Sequence, residues 1–306
     1  MAPGRLRRSE LSTPASSTRM IEKAAGSSAD FVFLDLEDSV ASSAKAEARR
    51  NAVTALRELD WHGKTRAVRV NGCDTEWALE DVTEVVLGAG ECLDVIIVPK
   101  VKAPRDLWWV ETVLSQLEPR GPRRDRPVGL EALIEEVEAL QSVDEIARCS
   151  PRLEALIFGP GDLAASQGVR VANMAAYGPS LWDYARSRIV VATRAAGIAA
   201  VDGPFWGPIA DLTGYAAECD RASILGFEGK WAIHPSQIDV ANERFSPTAD
   251  EVAGGRRVVE AFQQAAKDGV GAISLDGNMV DVADLRICTA VVERAEAITE
   301  WENRRG

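Results

Sequence analysis

Cysteine is sparse and unpatterned in this chain. Cys73, Cys92, Cys149, Cys219 and Cys288 are scattered over 306 residues, with no CxxC pair and an odd total. That spacing provides neither a disulfide framework nor a zinc-ligand set, and it suits a reducing compartment. Long apolar runs are missing too. None approaches the roughly 20 residues of a membrane span, and the basic start MAPGRLRRSE is not followed by the apolar core of a signal peptide. A soluble, cytoplasmic protein with no membrane partner is the expectation. Positive charge is in deficit, with 35 Lys plus Arg against 47 Asp plus Glu and a net charge of −12, which argues against nucleic acid as a partner. GAGEC at 88–92 lacks the glycine pattern of a dinucleotide fold, and GFEGK is no P-loop, so redox and nucleotide-hydrolysing functions are disfavoured. No internal repeat or low-complexity tract is present. PRGPRRDRPVG at 119–129 reads as a single polar loop.

The residues that are present favour a large α/β unit. Hydrophobic residues make up 46% and charged residues 27% of the chain, ordinary values for a soluble globular protein. Eight short apolar runs recur: SELST, FVFLDL, RAVRVN, DVIIVPK, GLEALIE, EALIFGP, IAAVDG and KWAIHP. Most end in a polar residue or glycine, and segments such as KAEARRNAVTALREL between them read as helices. Near-continuous apolar strands are those of a parallel sheet covered on both faces. A (β/α)8 TIM barrel over residues 1–245 is the economical solution, and its active site belongs at the C-terminal strand ends. Residues 246–306 read as a helical extension acting as a lid. Pro247, Thr248 and Asp250 start its first helix, and Gly277 and Asn278 mark a tight turn before its second.

Several strand ends carry chemistry. FVFLDLEDSV sets Asp35, Glu37 and Asp38 at the end of an apolar strand, where they need a cation, a hydrogen-bond network or open solvent. Glu135 and Asp162 end or follow two adjacent strands and form an oxygen pair suited to Mg²⁺ with open positions. A helix cap or loop role is the alternative for each, and Glu131 and Glu136 compete with Glu135. Arg69 and Asn71 end another strand. Arg69 suits a small carboxylate, or a salt bridge to Glu37 or Asp38. Lys100 stands where a Schiff-base lysine would. His234 reads as a structural residue at a strand end and His62 as a turn residue. Ser16, Ser17, Arg19 and Lys23 surround a helix start that suits a phosphate, although hydroxyls there are also ordinary N-caps.

These stretches together resemble a family, the citrate lyase β-subunit and malyl-CoA lyase group of HpcH/HpaI-type, metal-dependent CoA-ester lyases. The resemblance runs through RSELSTPASSTRMIEKAAGSSADFVFLDLEDSV, AVRVNG, VIIVPKV, LIEEVEALQSVDEIARCSPRLEALIFGPGDLAAS, GKWAIHPSQI and DGNMVD. It implies a (β/α)8 barrel, trimeric or hexameric, that uses Mg²⁺, with Mn²⁺ as a substitute, for Claisen-type cleavage or condensation of CoA thioesters. It also implies that Glu135 and Asp162 hold the metal and that Arg69 binds the oxoacid. Asp281, from a neighbouring subunit, acts as the base in that reading. Glu37 and Asp38 orient Arg69 or a water, and Ser16, Arg19 and Lys23 contact the coenzyme. The chain looks most like enzymes acting on malyl-CoA and β-methylmalyl-CoA, which yield glyoxylate with acetyl-CoA or propionyl-CoA. Citryl-CoA and citramalyl-CoA lyases and a malyl-CoA thioesterase are the alternatives. It departs from the family pattern at Glu136, Ala139 and Thr13 to Ala15.

Overall fold

Alternation along short apolar strands decides where every side chain of the fold points. A computed structural model describes residues 5–121, 124–170, 179–267, 273–275 and 278–305. All eight apolar runs become parallel strands: β1 (Ser9–Pro14), β2 (Phe31–Asp35), β3 (Thr65–Arg69), β4 (Val95–Val98), β5 (Gly129–Ile134), β6 (Leu153–Phe158), β7 (Ala199–Asp202) and β8 (Gly229–Ala232). They pair in chain order into a closed barrel. Closure is made by β1 against β8, where Glu10 stands opposite Trp231. The helices between them are α1 (Thr18–Ala25), α2 (Lys45–Glu58), α3 (Ala78–Ala89), α4 (Pro104–Leu117), α5 (Val137–Gln141), α6 (Val143–Ile146), α7 (Pro160–Ser166), α8 (Asp183–Ala196), α9 (Leu212–Leu225) and α10 (Ile238–Arg244).

The two-residue period of a strand divides the core in two. Phe31, Phe33, Ala67, Val95, Ile97, Leu133, Ala155, Ile157, Val201 and Trp231 fill the barrel interior. Val32, Leu34, Val68, Ile96, Leu130, Ile134, Leu156 and Phe158 lie in a second cluster with helix residues such as Ala52, Val82, Leu107 and Ile189. Each large apolar side chain buried in this way contributes about 1.5–3 kcal/mol. The same period carries Glu131, Leu133 and Glu135 inward at successive levels of β5. Glu131 is thereby removed from the barrel mouth. It accepts from Arg7 Nε at 2.7 Å, and Arg7 Nη2 reaches Glu154 Oε2 at 2.7 Å.

A second buried charge cluster ties β7 and β8 to α8 and α9. Lys230 Nζ donates to Asp202 Oδ2 at 2.6 Å, Arg186 Nε to Asp202 Oδ1 at 2.9 Å and Arg186 Nη2 to Glu218 Oε1 at 2.6 Å. Two cations meet two carboxylates, so the cluster is neutral as a set and its burial is tolerable.

The chain divides into two compact units, one spanning Arg7–Phe245 and another built mainly from Ser246 onward. In the second unit α11 (Ala249–Lys267) packs on α12 (Val282–Arg305). Thr248 and Glu251 cap the start of α11 reciprocally: Thr248 N–H donates to Glu251 Oε2 at 2.7 Å and Glu251 N–H to Thr248 Oγ1 at 3.2 Å. Strands β9 (Ile273–Leu275) and β10 (Asn278–Val280) form an antiparallel pair. Asn278 therefore belongs to a strand, and the expected turn residue Gly277 lies outside the described residues. No described helix is long and apolar enough to cross a membrane.

Barrel closure depends on a missing side chain. A Cβ on Gly229 would stand 1.5 Å from the Arg7 carbonyl oxygen, so an added methyl must push β8 away from the segment entering β1. Gly229→Ala is expected to cost more than about 3 kcal/mol by overpacking at a backbone contact that has no room to relax. Equilibrium urea denaturation would read that loss directly.

Candidate active site

The mouth is organised by one ion pair. Register pairing of β2 with β3 puts Asp35 opposite Arg69 at the strand ends. Arg69 Nε and Nη2 donate to the two Asp35 oxygens at 2.7 and 2.8 Å. Asp35 also accepts the N–H groups of Glu37 at 2.9 Å and Ser39 at 3.1 Å, which shapes the turn after β2. Burial opposes ionisation of Asp35, but Arg69 and the other donors outweigh it and hold the carboxyl below its ordinary range. The reciprocal effect raises Arg69. Asp35 was not among the residues expected to act in the site. The salt-bridge partner expected for Arg69 was Glu37 or Asp38, a choice that sequence distance alone could not rank.

Glu37 does reach Arg69: Nη1 lies 3.0 Å from its Oε2, an ion pair without an aligned hydrogen bond. Its other oxygen accepts from Lys100 Nζ at 2.5 Å. Asp38 is exposed and turns away from Arg69, toward Lys100 Nζ at 3.3 Å. Burial works against the Lys100 charge, yet Glu37 and Asp38 prevail and raise its pKa. An ammonium gripped by two carboxylates is in the wrong protonation state to attack a carbonyl, so the structure does not support a Schiff-base role. The Lys100 backbone is left-handed, with φ of 52°. That geometry turns its N–H to Glu135 Oε1 at 2.8 Å while the side chain reaches back to Glu37. Such strain in a non-glycine residue is characteristic of sites whose surroundings over-determine them.

Asn71 supports the mouth from behind. Lys45 Nζ donates to the carbonyls of Leu36 and Glu37 and to Asn71 Oδ1, all within 2.8 Å. Asn71 in turn donates to Leu36 O and to Asp81. Lys45 sits on α2 in a segment that reads as an ordinary amphipathic helix, so no sequence signal marked it.

Glu135 follows β5 directly and Asp162 is the third residue of α7, after β6. Glu135 is 3% exposed, and burial, partly offset by the Lys100 N–H and reinforced by Asp162, pushes its carboxyl up to about 8. Its Oε2 accepts no hydrogen bond among the described residues. Among the described residues no group of three or more His, Cys, Asp and Glu side chains is placed to hold a metal ion by itself. A buried carboxyl disfavoured as the anion by burial and by nearby Asp162, with an idle oxygen, fits a divalent cation that completes its shell with Asp162, water and substrate. Gly159 makes room for this arrangement, because a Cβ there would stand 2.4 Å from Glu135 Cβ and 2.7 Å from its Oε2. Glu136, the departure from the family pattern, is half-buried at the start of α5.

Other expected residues lie further out. Pro14 at the end of β1 pairs with Asp35, which brings the β1–α1 turn beside the mouth. Ser17 caps α1 by accepting from Met20 N–H, while Ser16, Arg19 and Lys23 are exposed and make no side-chain contact among the described residues. His234 accepts from Ser236 N–H and starts the turn Pro235–Gln237, a structural role. His62, with φ of 47°, is a turn residue. Asp281 belongs to the C-terminal unit and caps α12, its Oδ1 accepting from Ala283 N–H at 2.7 Å and Asp284 N–H at 3.3 Å. Two features escaped sequence reasoning. Trp206, from the loop after β7, lies 3.6 Å from where a Cβ on Gly161 would stand. A cleft of about 350 Å³ reaches Lys100 between Cys73, Lys102 and Arg105, and burial pushes the Cys73 thiol up to about 12, which leaves it unreactive.

The family model described as HpcH/HpaI aldolase/citrate lyase matches residues 8–235. The chain belongs to this family. An L-malyl-CoA/β-methylmalyl-CoA lyase of Cereibacter sphaeroides is 39% identical, the match covering 97% of each chain. A (3S)-malyl-CoA thioesterase of the same species is 36% identical over 96% of each. Among solved structures, CitE of Mycobacterium tuberculosis in complex with magnesium, acetoacetate and coenzyme A superposes with a TM-score of 0.77 at 28% identity, covering 96% of this chain and 99% of that one. The shared barrel of the HpcH/HpaI family thus includes every strand end described above.

Two measurements test this geometry. Asp35 is depressed in the folded state, so its stabilisation is present above the unfolded carboxylate pKa and is lost as pH falls through the folded value. Asp35→Asn, which strands a buried guanidinium, should cost about 3–5 kcal/mol at pH 7, and the gap to the parent should narrow below about pH 4 in urea denaturation. Gly159→Ala should displace the Glu135 carboxylate with the barrel intact, weakening Mg²⁺ binding by about tenfold or more in calorimetric titration.

Proposed function

We propose that the protein is a divalent-metal-dependent carbon–carbon lyase acting on malyl-CoA-type thioesters. The observation that carries this reading is the juxtaposition of Arg69, fixed on two sides by carboxylates, with Glu135 and Asp162, which have no cation of their own. Arg69 spends two of its five N–H groups on Asp35 and faces Glu37 only as an ion pair, so donors remain for a planar carboxylate. Glyoxylate, with a carboxylate beside a carbonyl, matches that reach. The lyase named among the relatives supports the same substrate class.

Glu135 and Asp162 would hold Mg²⁺, which when bound would supply Lewis-acid polarisation of the oxoacid carbonyl. Arg69 fixes the oxoacid carboxylate and so orients the carbonyl carbon for attack. Asp281, contributed by a neighbouring copy in a trimer or hexamer, takes a proton from the acyl carbon next to the thioester with the oxygen that does not cap α12. The acyl carbon then bonds to the carbonyl carbon, and a proton ends on the new hydroxyl group. Cleavage runs the same steps backwards. Arg19 in the first turn of α1 and Lys23 in its last turn are exposed, form no ion pair among the described residues, and suit the phosphates of coenzyme A.

Hydrolysis of the malyl thioester is the second reading, favoured by the thioesterase among the relatives. Both are decided by incubating the protein with acetyl-CoA and glyoxylate, with Mg²⁺ or with a chelator, and following malyl-CoA and free CoA by mass spectrometry. Metal-dependent malyl-CoA that persists identifies the lyase. Malyl-CoA replaced by malate and free CoA identifies the thioesterase. No product with glyoxylate, pyruvate or oxaloacetate would sink the lyase, and malyl-CoA supplied directly and left intact would sink the thioesterase. Asp281→Asn should lower turnover by about a hundredfold to ten-thousandfold. Mixing it with inactive Glu135→Gln should recover activity if, as proposed, the two residues meet across subunits.

A further inference from the structure

The mouth's arginine has a support that the reaction scheme leaves unused. Arg69 is held at its edges by Asp35 and Glu37, but edge contacts alone let a planar guanidinium tilt out of plane. Its face lies over Trp231, with Cζ 5.4 Å from the ring centroid. Trp231 comes from β8, three strands away around the barrel through β1 and β2, so the indole crosses the interior to lie under the cation. Two further contacts fix the indole. Its Nε1–H donates to Glu10 Oε2 at 2.9 Å, and its ring centroid is 4.5 Å from that of Phe33. Trp231 is 4% exposed and Glu10 fully buried.

Glu10 is a costly residue to keep there. Its Oε1 is buried without a hydrogen-bond partner among the described residues, and the nearest cation, Arg7 Nε, is 3.8 Å away. A buried carboxyl with an idle oxygen costs stability that an apolar residue would not. Holding an indole N–H at a set height beneath the substrate-binding arginine is a function that accounts for it.

We infer that Trp231 is the positioning residue for Arg69 in oxoacid binding, and that Glu10 sets the orientation of Trp231. The inference rests on the reading of Arg69 as the oxoacid-carboxylate ligand. An indole face is the strongest of the aromatic partners for a desolvated cation, and it leaves the N–H groups of Arg69 not bonded to Asp35 free to donate in the guanidinium plane. Loss of this floor should affect the oxoacid alone, since the coenzyme A thioester is gripped elsewhere.

The test is steady-state kinetics of malyl-CoA formation with glyoxylate and acetyl-CoA varied separately, alongside thermal melting of each variant. Trp231→Leu removes the face and should raise KM for glyoxylate about threefold to thirtyfold, the range of a cation–π contact, with KM for acetyl-CoA unchanged. Trp231→Phe keeps a ring but loses the N–H anchor and should give a smaller rise. Glu10→Leu should behave like Trp231→Phe, and Glu10→Gln, which keeps an oxygen acceptor, should recover most of what Glu10→Leu loses. If Trp231→Leu does not fold, Trp231→Phe and the two Glu10 variants carry the comparison. Arg69→Lys serves as the reference. If it raises KM for glyoxylate while the Trp231 and Glu10 variants leave it within twofold, or lower the melting temperature and raise both KM values together, the positioning role is overturned. If Arg69→Lys itself leaves KM for glyoxylate unchanged, the reading of Arg69 fails, and this inference fails with it.

Discussion

The Asp35–Arg69 pair is the constraint on which the rest of the barrel mouth depends. It joins two neighbouring strands at the level where their hydrogen-bond ladder ends, and it leaves one guanidinium edge open. Because both groups are buried, neither tolerates the loss of the other. The turn after β2 is then shaped by the same carboxylate, which accepts the N–H groups of Glu37 and Ser39. Those contacts aim Glu37 at both Arg69 and Lys100, and Lys100 carries its own N–H to Glu135. A single register pairing thus propagates along the mouth as far as Glu135.

The charge at the mouth is arranged unevenly, and the unevenness has chemical meaning. Arg69, Lys100 and Lys45 are each surrounded by acceptors from the β2 end and the loop behind it. Glu135 and Asp162 form no ion pair with a lysine or arginine among the described residues, and the hydrogen bond that Glu135 accepts comes from the Lys100 backbone N–H. Desolvation, reinforced by the charge of Asp162, disfavours ionised Glu135 in isolation, and this is the condition under which a divalent cation gains most from binding. The same asymmetry explains why Lys100 is fixed as an ammonium and cannot serve as a nucleophile.

Beneath the mouth, the barrel interior is not a uniform apolar filling. Glu10, Glu131 and Arg7 occupy the end opposite the site, and Trp231 spans the space between that group and Arg69. Aromatic side chains suit such a role because one residue offers an apolar body, a π face and a polar tip at separate points. The buried cluster around Asp202, Lys230, Arg186 and Glu218 does similar work on the outer wall, where it links two strands to two helices.

The sequence by itself determined the barrel and most of its strand ends. Apolar runs of strand length, separated by helical segments, have few solutions other than a closed parallel sheet, and the period of two sends Glu131 and Glu135 inward on the same face. It also brought Arg69, Glu37, Glu135 and Asp162 to one end of the molecule, because strand polarity is shared by every strand in a parallel barrel. Register and cross-barrel reach were decided only in three dimensions. Nothing in the spacing of Asp35, Glu37 and Asp38 says which of them faces Arg69, since one residue of slip along β3 would change the partner. Nothing local marks Lys45 or Asn71 as supports of the mouth, and Trp231 meets Arg69 across strands separated by more than 150 residues of chain. Those contacts are set by how the strands stagger on closing, a property of the whole ring and not of any segment in it.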